Sequence, residues 1–249
     1  MTEMTESQRA AAPPAHWLTT THWLLAGQSL VILLITANRL GPWTQGYAAQ
    51  NEFLRWLDLH NMLSLPMISV VFSFALWLHL EELGSAASGR ARLLVSLAFG
   101  LGLYLFGAGY GAHEVTNYLH ERYCTTALLD ADLCRIVIFN DDSFSHWVFY
   151  AGYLLVAIAL MAKQVLHPWP GGIGRRDNAL LVGNALFIAL GIFGNLAFEE
   201  IGMDLYAFGG LALLAIGLLW RNRGQPILCY QALSNGLGVL ATLVYMVLK

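Results

Sequence analysis

The sequence predicts an all-α protein, a polytopic bundle of about seven transmembrane helices with a cytoplasmic N-terminus. Three observations predict it: 57% of the 249 residues are hydrophobic, 12% are charged, and apolar segments recur between short polar breaks. Mean hydropathy is +0.56, and the charged fraction falls far below the roughly 25% of a globular domain.

A bilayer core needs about 20 mostly apolar residues per helix. Seven stretches approach that length: 23–40, 62–80, 93–113, 143–162, 179–198, 205–220 and 227–248, the sixth being the shortest. Gly84 to Arg92, His167 to Arg176 and Arg221 to Pro226 break the pattern with Gly, Pro and charge. Residues 1–22 read as a polar tail, and 23–249 as one transmembrane domain with a long outer connection at 113–142. Residues 1–16 lack the basic start, apolar run and cleavage site of a signal peptide, so the first helix is expected to be retained. The sequence shows no internal repeat and no paired short broken helices of the transporter kind.

Lys and Arg set the orientation. With the N-terminus inside, Arg9, Arg90, Arg92, Lys163, Arg175, Arg176, Arg221 and Arg223 lie on the inner side, against Arg39, Arg55, Arg122, Arg135 and Lys249 outside. Most of the 16 acids then fall outside. A net charge of −3 with scattered basic residues excludes a nucleic-acid partner. The expected partner is the lipid bilayer, and the expected location is a bacterial inner (plasma) membrane.

The aromatic belt is read as Trp17, Trp23, Trp77, Trp169 and Trp220 inside, with Trp43, Trp56 and Trp147 outside. Residues 47–59 mix Phe53, Leu54, Trp56 and Leu57 with charge, the pattern of an interfacial helix. Cys124 and Cys134 fall in the outer connection, either as a disulfide or as two thiols. Apolar runs beside them suggest a cap over the membrane surface or a cavity. Gly107 and Gly111, with Gly100 and Gly102 earlier, predict close helix packing below the outer end of the third helix.

The strongest local signal is at that end. On a continuing helix His113, Asn117 and His120 share one face, and Glu114 and Glu121 repeat the seven-residue step on the neighbouring stripe. The second helix opens with His60 and Ser64. The fourth opens with Asp141, Asp142, Ser145 and His146, where Asp142 and His146 are four apart and Asp141, Asp142 and Ser143 resemble N-caps. The fifth ends with Asn195, Glu199 and Glu200. Imidazoles and carboxylates gathered at one membrane face are donors for zinc or iron. His113, His120 and His146, then His60 and Glu199, are the candidate ligands. Glu114, Asp142 and Glu200 are the candidate acid/base or orienting groups. For any one of these histidines, solvation at the interface is the commoner role; it is their coincidence with the carboxylates that points to a shared site.

Asn117 stands where a ferritin-like Glu-x-x-His pair or a His-Glu-x-x-His motif needs histidine, so neither pattern holds. The cluster loosely resembles seven-helix metal-dependent membrane hydrolases acting on lipid amides, which gather His, Asp and Ser at one face. Their paired histidines on the last helix have no counterpart in 227–248, and no residue role is carried over. The sequence thus predicts a metal-dependent hydrolase or oxidoreductase acting at the non-cytoplasmic face on a lipid-like or small apolar substrate. A proton- or metal-handling transporter or sensor, and a haem protein, are the alternatives.

Overall fold

Seven helices are long and apolar enough to cross a membrane. The computed structural model describes residues 16–84, 88–125, 127–198 and 202–248. The helices are α1 (Trp17–Leu40), α2 (Trp56–Glu81), α3 (Gly89–Tyr123), α4 (Asp132–Leu166), α5 (Arg175–Phe198), α6 (Met203–Arg221) and α7 (Pro226–Leu248). Their contacts close into a ring, α1–α2–α3–α4–α6–α7–α5 and back to α1, with α3 on α4 the most extensive pairing. The chain is an integral membrane protein of the helical-bundle class.

Several helices run beyond the apolar segments that predict them. Helix α1 starts at Trp17 rather than residue 23 because Trp17 is a core residue, 0% exposed and stacked between His79 and Trp169 at 4.7 and 4.8 Å. Its indole donates to the His79 carbonyl at 3.2 Å. Trp17 and the buried Trp77 therefore belong to the interior, not to the belt. Helix α3 continues to Tyr123 and α4 begins at Asp132, so most of the connection expected over 113–142 is helical. The Cys124–Cys134 disulfide ties the end of α3 to the start of α4.

Residues 47–55 are not an interfacial helix. Glu52 adopts φ 56° and Tyr47 bridges Arg55 in antiparallel fashion, giving a small reversal that leads directly into α2 at Trp56. Two wide π-turns interrupt the spans, His60–Ser64 in α2 and Asn140–Phe144 in α4.

Close packing of α3 on α4 depends on Gly102, Gly109 and Gly152. A Cβ on Gly152 would lie 2.2 Å from the Phe106 nitrogen, and one on Gly109 2.5 Å from the Phe149 nitrogen. Gly100, Gly107 and Gly111 face open space, with nothing within 4 Å of an added Cβ. The seam follows the seven-residue step from 102 to 109, and the expected Gly107–Gly111 pair lies off it. Leu94, Leu97, Leu101 and Tyr104 are exposed on α3, as expected of a lipid-facing stripe.

The core is strongest toward the inner end, where Leu25, Leu76, Leu80, Leu160, Leu181 and Ile227 pack around the Trp17 stack. Ionic pairs there include His22 3.0 Å from Asp177, His79 3.2 Å from Glu82, and Lys163 with Glu81.

Candidate functional site

Helical periodicity sends the polar residues at the outer end of α3 in two directions. His113 and His120 face α4, while Glu114 faces α1 and α2. The π-turn Asn140–Phe144 supplies the α4 partner. In this turn the Ser145 N–H reaches the Asn140 carbonyl, five residues back, and the Ser145 hydroxyl donates to the Asp141 carbonyl at 2.6 Å.

Asp141 is the hub. Its side chain is 2% exposed, with Oδ1 3.1 Å from His113 Nδ1 and Oδ2 2.9 Å from His120 Nδ1. The Thr116 hydroxyl approaches Oδ1 at 3.5 Å. Asp142 is 57% exposed, with Oδ1 4.0 Å from His120 Nδ1. Among the described residues, His120, Asp141 and Asp142 form the group of three whose donor atoms all lie within 4.8 Å of one another. Asp141 is not an N-cap, because α4 has begun nine residues earlier at Asp132.

His146 adjoins this group through His113, with ring centroids 4.9 Å apart, and lies 6.1 Å from the Tyr150 ring. His113, His146, Tyr150, Asn195 and Arg39 line a cavity of about 70 Å³. The Asn195 amide donates to the Tyr150 hydroxyl at 2.7 Å and to Asp204 Oδ2 at 3.4 Å. Asp204 Oδ1 accepts from the Gly202 and Leu205 N–H groups, which fixes the start of α6 against the pocket.

The remaining expected residues do not join this group. Glu114, 1% exposed, accepts from the Asn61 amide at 3.2 Å and has Arg39 Nη2 3.9 Å from its other oxygen. Asn61 in turn accepts from Asn38 at 2.8 Å, so Glu114 holds α1, α2 and α3 together instead of sharing a site with Asp142. His60 pairs with the Ser64 hydroxyl at 3.1 Å and stacks on Trp56, on the α2 side. Its π-turn directs Asn61, not His60, at α3. Glu199 and Glu200 lie outside the described residues.

A second ionic group clamps the outer surface. Arg55 makes a two-pronged pair with buried Asp58, both bonds 2.8 Å, and reaches Glu121 at 2.7 Å. The Asp58 carboxylate, and then Glu121, raise the Arg55 guanidinium further above its usual range, so it stays charged at any ordinary pH.

Asp141, Thr116 and Arg39 were not singled out for the site by sequence reasoning. Asp141 was visible only as one of two adjacent acids, and Arg39 only as a topological charge. No protein-family model, curated protein or solved structure matches this chain.

Proposed function

We propose that the outer pocket is the catalytic centre of a metal-dependent hydrolase, embedded in a bacterial inner membrane and acting on a lipid-like or small apolar molecule. One observation carries the proposal: a carboxylate 2% exposed, in a membrane-spanning helix, shares its oxygens between two imidazoles with a second carboxylate one residue on. A carboxylate so removed from water needs positive charge or strong donors. A divalent ion among His120, Asp141 and Asp142 would provide that charge, with zinc or iron suited to the donor set.

Such an ion, when bound, would supply Lewis acidity and a nucleophile at neutral pH. The surrounding side chains orient and exchange protons. Asp141 lies against His113 Nδ1 and orients that ring at the edge of the pocket. His146 and Tyr150 border the same cavity, where they would hydrogen-bond the polar group of a substrate. Arg39 would stabilise negative charge developing there. The described residues lie mostly in the seven apolar helices, so lateral entry of an apolar substrate is the natural route. A cavity of about 70 Å³ is too small for a macrocycle, which favours a bare ion over haem.

The test is elemental analysis of protein purified without chelator and reloaded with Zn²⁺ or Fe²⁺, alongside hydrolysis of ester and amide amphiphiles in reconstituted vesicles. The wild type should bind about one ion per chain. Asp141→Asn and His120→Ala should abolish binding and turnover together, and His113→Ala should weaken binding about 10- to 100-fold. His60→Ala should leave binding intact. Unchanged metal content in folded Asp141→Asn would overturn the proposal.

A further inference from the structure

A second cavity, of about 110 Å³, lies deeper in the bundle, lined by residues from α1, α2, α3, α4, α5 and α7. Phe106 borders this chamber and Phe149 borders the outer pocket; their rings, 5.2 Å apart, stand between the two spaces. The walls are mainly Leu, Ile, Val and Phe, and no Asp, Glu, His, Lys or Arg lines them. An ionised ligand would find no counter-charge there, so the occupant must be neutral.

The polar groups that do line it are specific. On the α2 side, Gln28 is engaged with Ser69 and donates to the Ser73 hydroxyl at 2.9 Å. On the α7 side, Tyr230 is 6% exposed and Gln231 7%. The Gln231 side-chain oxygen accepts from Asn235 at 3.0 Å. Among the described residues, the Tyr230 hydroxyl and the Gln231 side-chain nitrogen have no hydrogen-bond partner. These are donors on two consecutive residues of α7, on side chains more than nine-tenths buried, bordering an apolar space. Leaving them unpaired is costly, which asks for an acceptor in the chamber.

We infer that this chamber is a binding site for a neutral, ring-sized apolar molecule whose carbonyl oxygen accepts hydrogen bonds from Tyr230 and Gln231. The size follows from the volume: a cavity of about 150 Å³ holds benzene, so about 110 Å³ admits one small ring and little more. An acyl chain would fill the apolar part but offers no acceptor along its length. The pattern, an apolar space between helices with a few placed polar groups, is that of a small-molecule pocket. The inference is independent of the metal centre, because none of the chamber's lining residues belongs to the His120, Asp141, Asp142 group.

The experiment uses the full chain in nanodiscs and two photoreactive probes no larger than one ring, a cyclohexanone with a diazirine spiro-fused at a ring carbon and a methylcyclohexane with the same spiro-diazirine. Adducts are mapped by mass spectrometry. The ketone should label chamber residues such as Leu103, Val156 and Ile188 about tenfold more than the hydrocarbon, the ratio expected for one or two net hydrogen bonds. Tyr230→Phe keeps the ring and its packing, and should lower that ratio several-fold; adding Gln231→Leu should bring it to one. Helical circular dichroism of the same samples reports folding, and metal content, read separately, tests the metal centre alone. Equal labelling of the chamber by both probes in the wild type would overturn the inference. So would ketone adducts confined to the lipid-facing Leu94 and Leu101, or a ratio unmoved by Tyr230→Phe.

Discussion

Replacing Gly152 by alanine should loosen the bundle and the metal group together. The added Cβ would sit 2.2 Å from the Phe106 nitrogen and 2.8 Å from the Gly102 carbonyl oxygen, more than 1 Å inside ordinary contact in the first case. Both atoms are backbone, so no side chain can swing away and α3 must part from α4. Overpacking of this kind costs about 1–3 kcal/mol, against which the helix preference of alanine over glycine returns up to about 1 kcal/mol. The net loss should be about 1–2 kcal/mol, or roughly 2–8 °C in Tm at the sensitivity of a chain this size. Gly111→Ala is the matched control: nothing lies within 4 Å of its Cβ, so only the helix-preference gain remains and Tm should stay or rise. Thermal unfolding followed by helical circular dichroism in detergent reads both variants. His113 and His120 are on α3 and Asp141 on α4, so parting the helices also stretches the 3.1 and 2.9 Å contacts and should lower metal loading in Gly152→Ala. Equal stability of Gly152→Ala and wild type, or equal damage from Gly111→Ala, would refute the seam.

Three further outcomes follow from the outer clamp, the disulfide and the inner boundary. Asp58→Ala leaves Arg55 only the exposed Glu121 as a partner and should cost about 1.5–3 kcal/mol, visible as a lower Tm, whereas Arg135→Ala, with an exposed partner 3.9 Å away, should change little. Cys134→Ser opens a link between residues ten apart and should cost about 3 kcal/mol by chain entropy, measured against wild type under oxidising conditions. Burial, and then the nearby Lys163 charge, lower the pKa of His167, which follows the inner end of α4. The folded state therefore keeps His167 neutral where the unfolded chain already takes a proton, so stability is full above about pH 6.5 and falls as pH drops toward the lowered value. Thermal scans at pH 7.5 and 5.5 should show this slope in wild type and a smaller one in His167→Leu.

The bundle was legible because backbone in a bilayer must satisfy its own hydrogen bonds, which makes each apolar run a helix. Hydropathy does not see what protrudes. Helix α3 has 35 residues, which at 1.5 Å per residue is roughly 50 Å, well beyond a core of about 30 Å. Its last turns, about three from His113 to Tyr123, are too polar to register as a span. Only the in-phase spacing of His113, Asn117 and His120 pointed to a continuing helix there, where the sequence otherwise predicts the outer connection. Trp17 shows the converse. Its position at a span edge matches a belt residue, and only the stacking of His79 and Trp169, from distant parts of the chain, makes it core.

The choice between Asp141 and Asp142 turned on one residue of helical phase. In a regular helix Asp142 lies one turn before His146, and Asp141 points away by about 100°. The π-turn at Asn140–Phe144 widens that turn by one residue, so Asp141, five before His146, is the acid carried inward while Asp142 is left 57% exposed. The π-turn of α2 has a visible cause. Pro66 lacks an N–H and would crowd the carbonyl of Met62, which lies inside the wide turn. That turn presents Asn61 rather than His60 to Glu114. Residues 140–144 contain no proline, so local covalent geometry does not require the second π-turn. What it achieves is tertiary, bringing one carboxylate between His113 and His120. Single-turn bulges of this kind recur at functional positions, where a register unfavourable to the helix is retained for the side chain it aims.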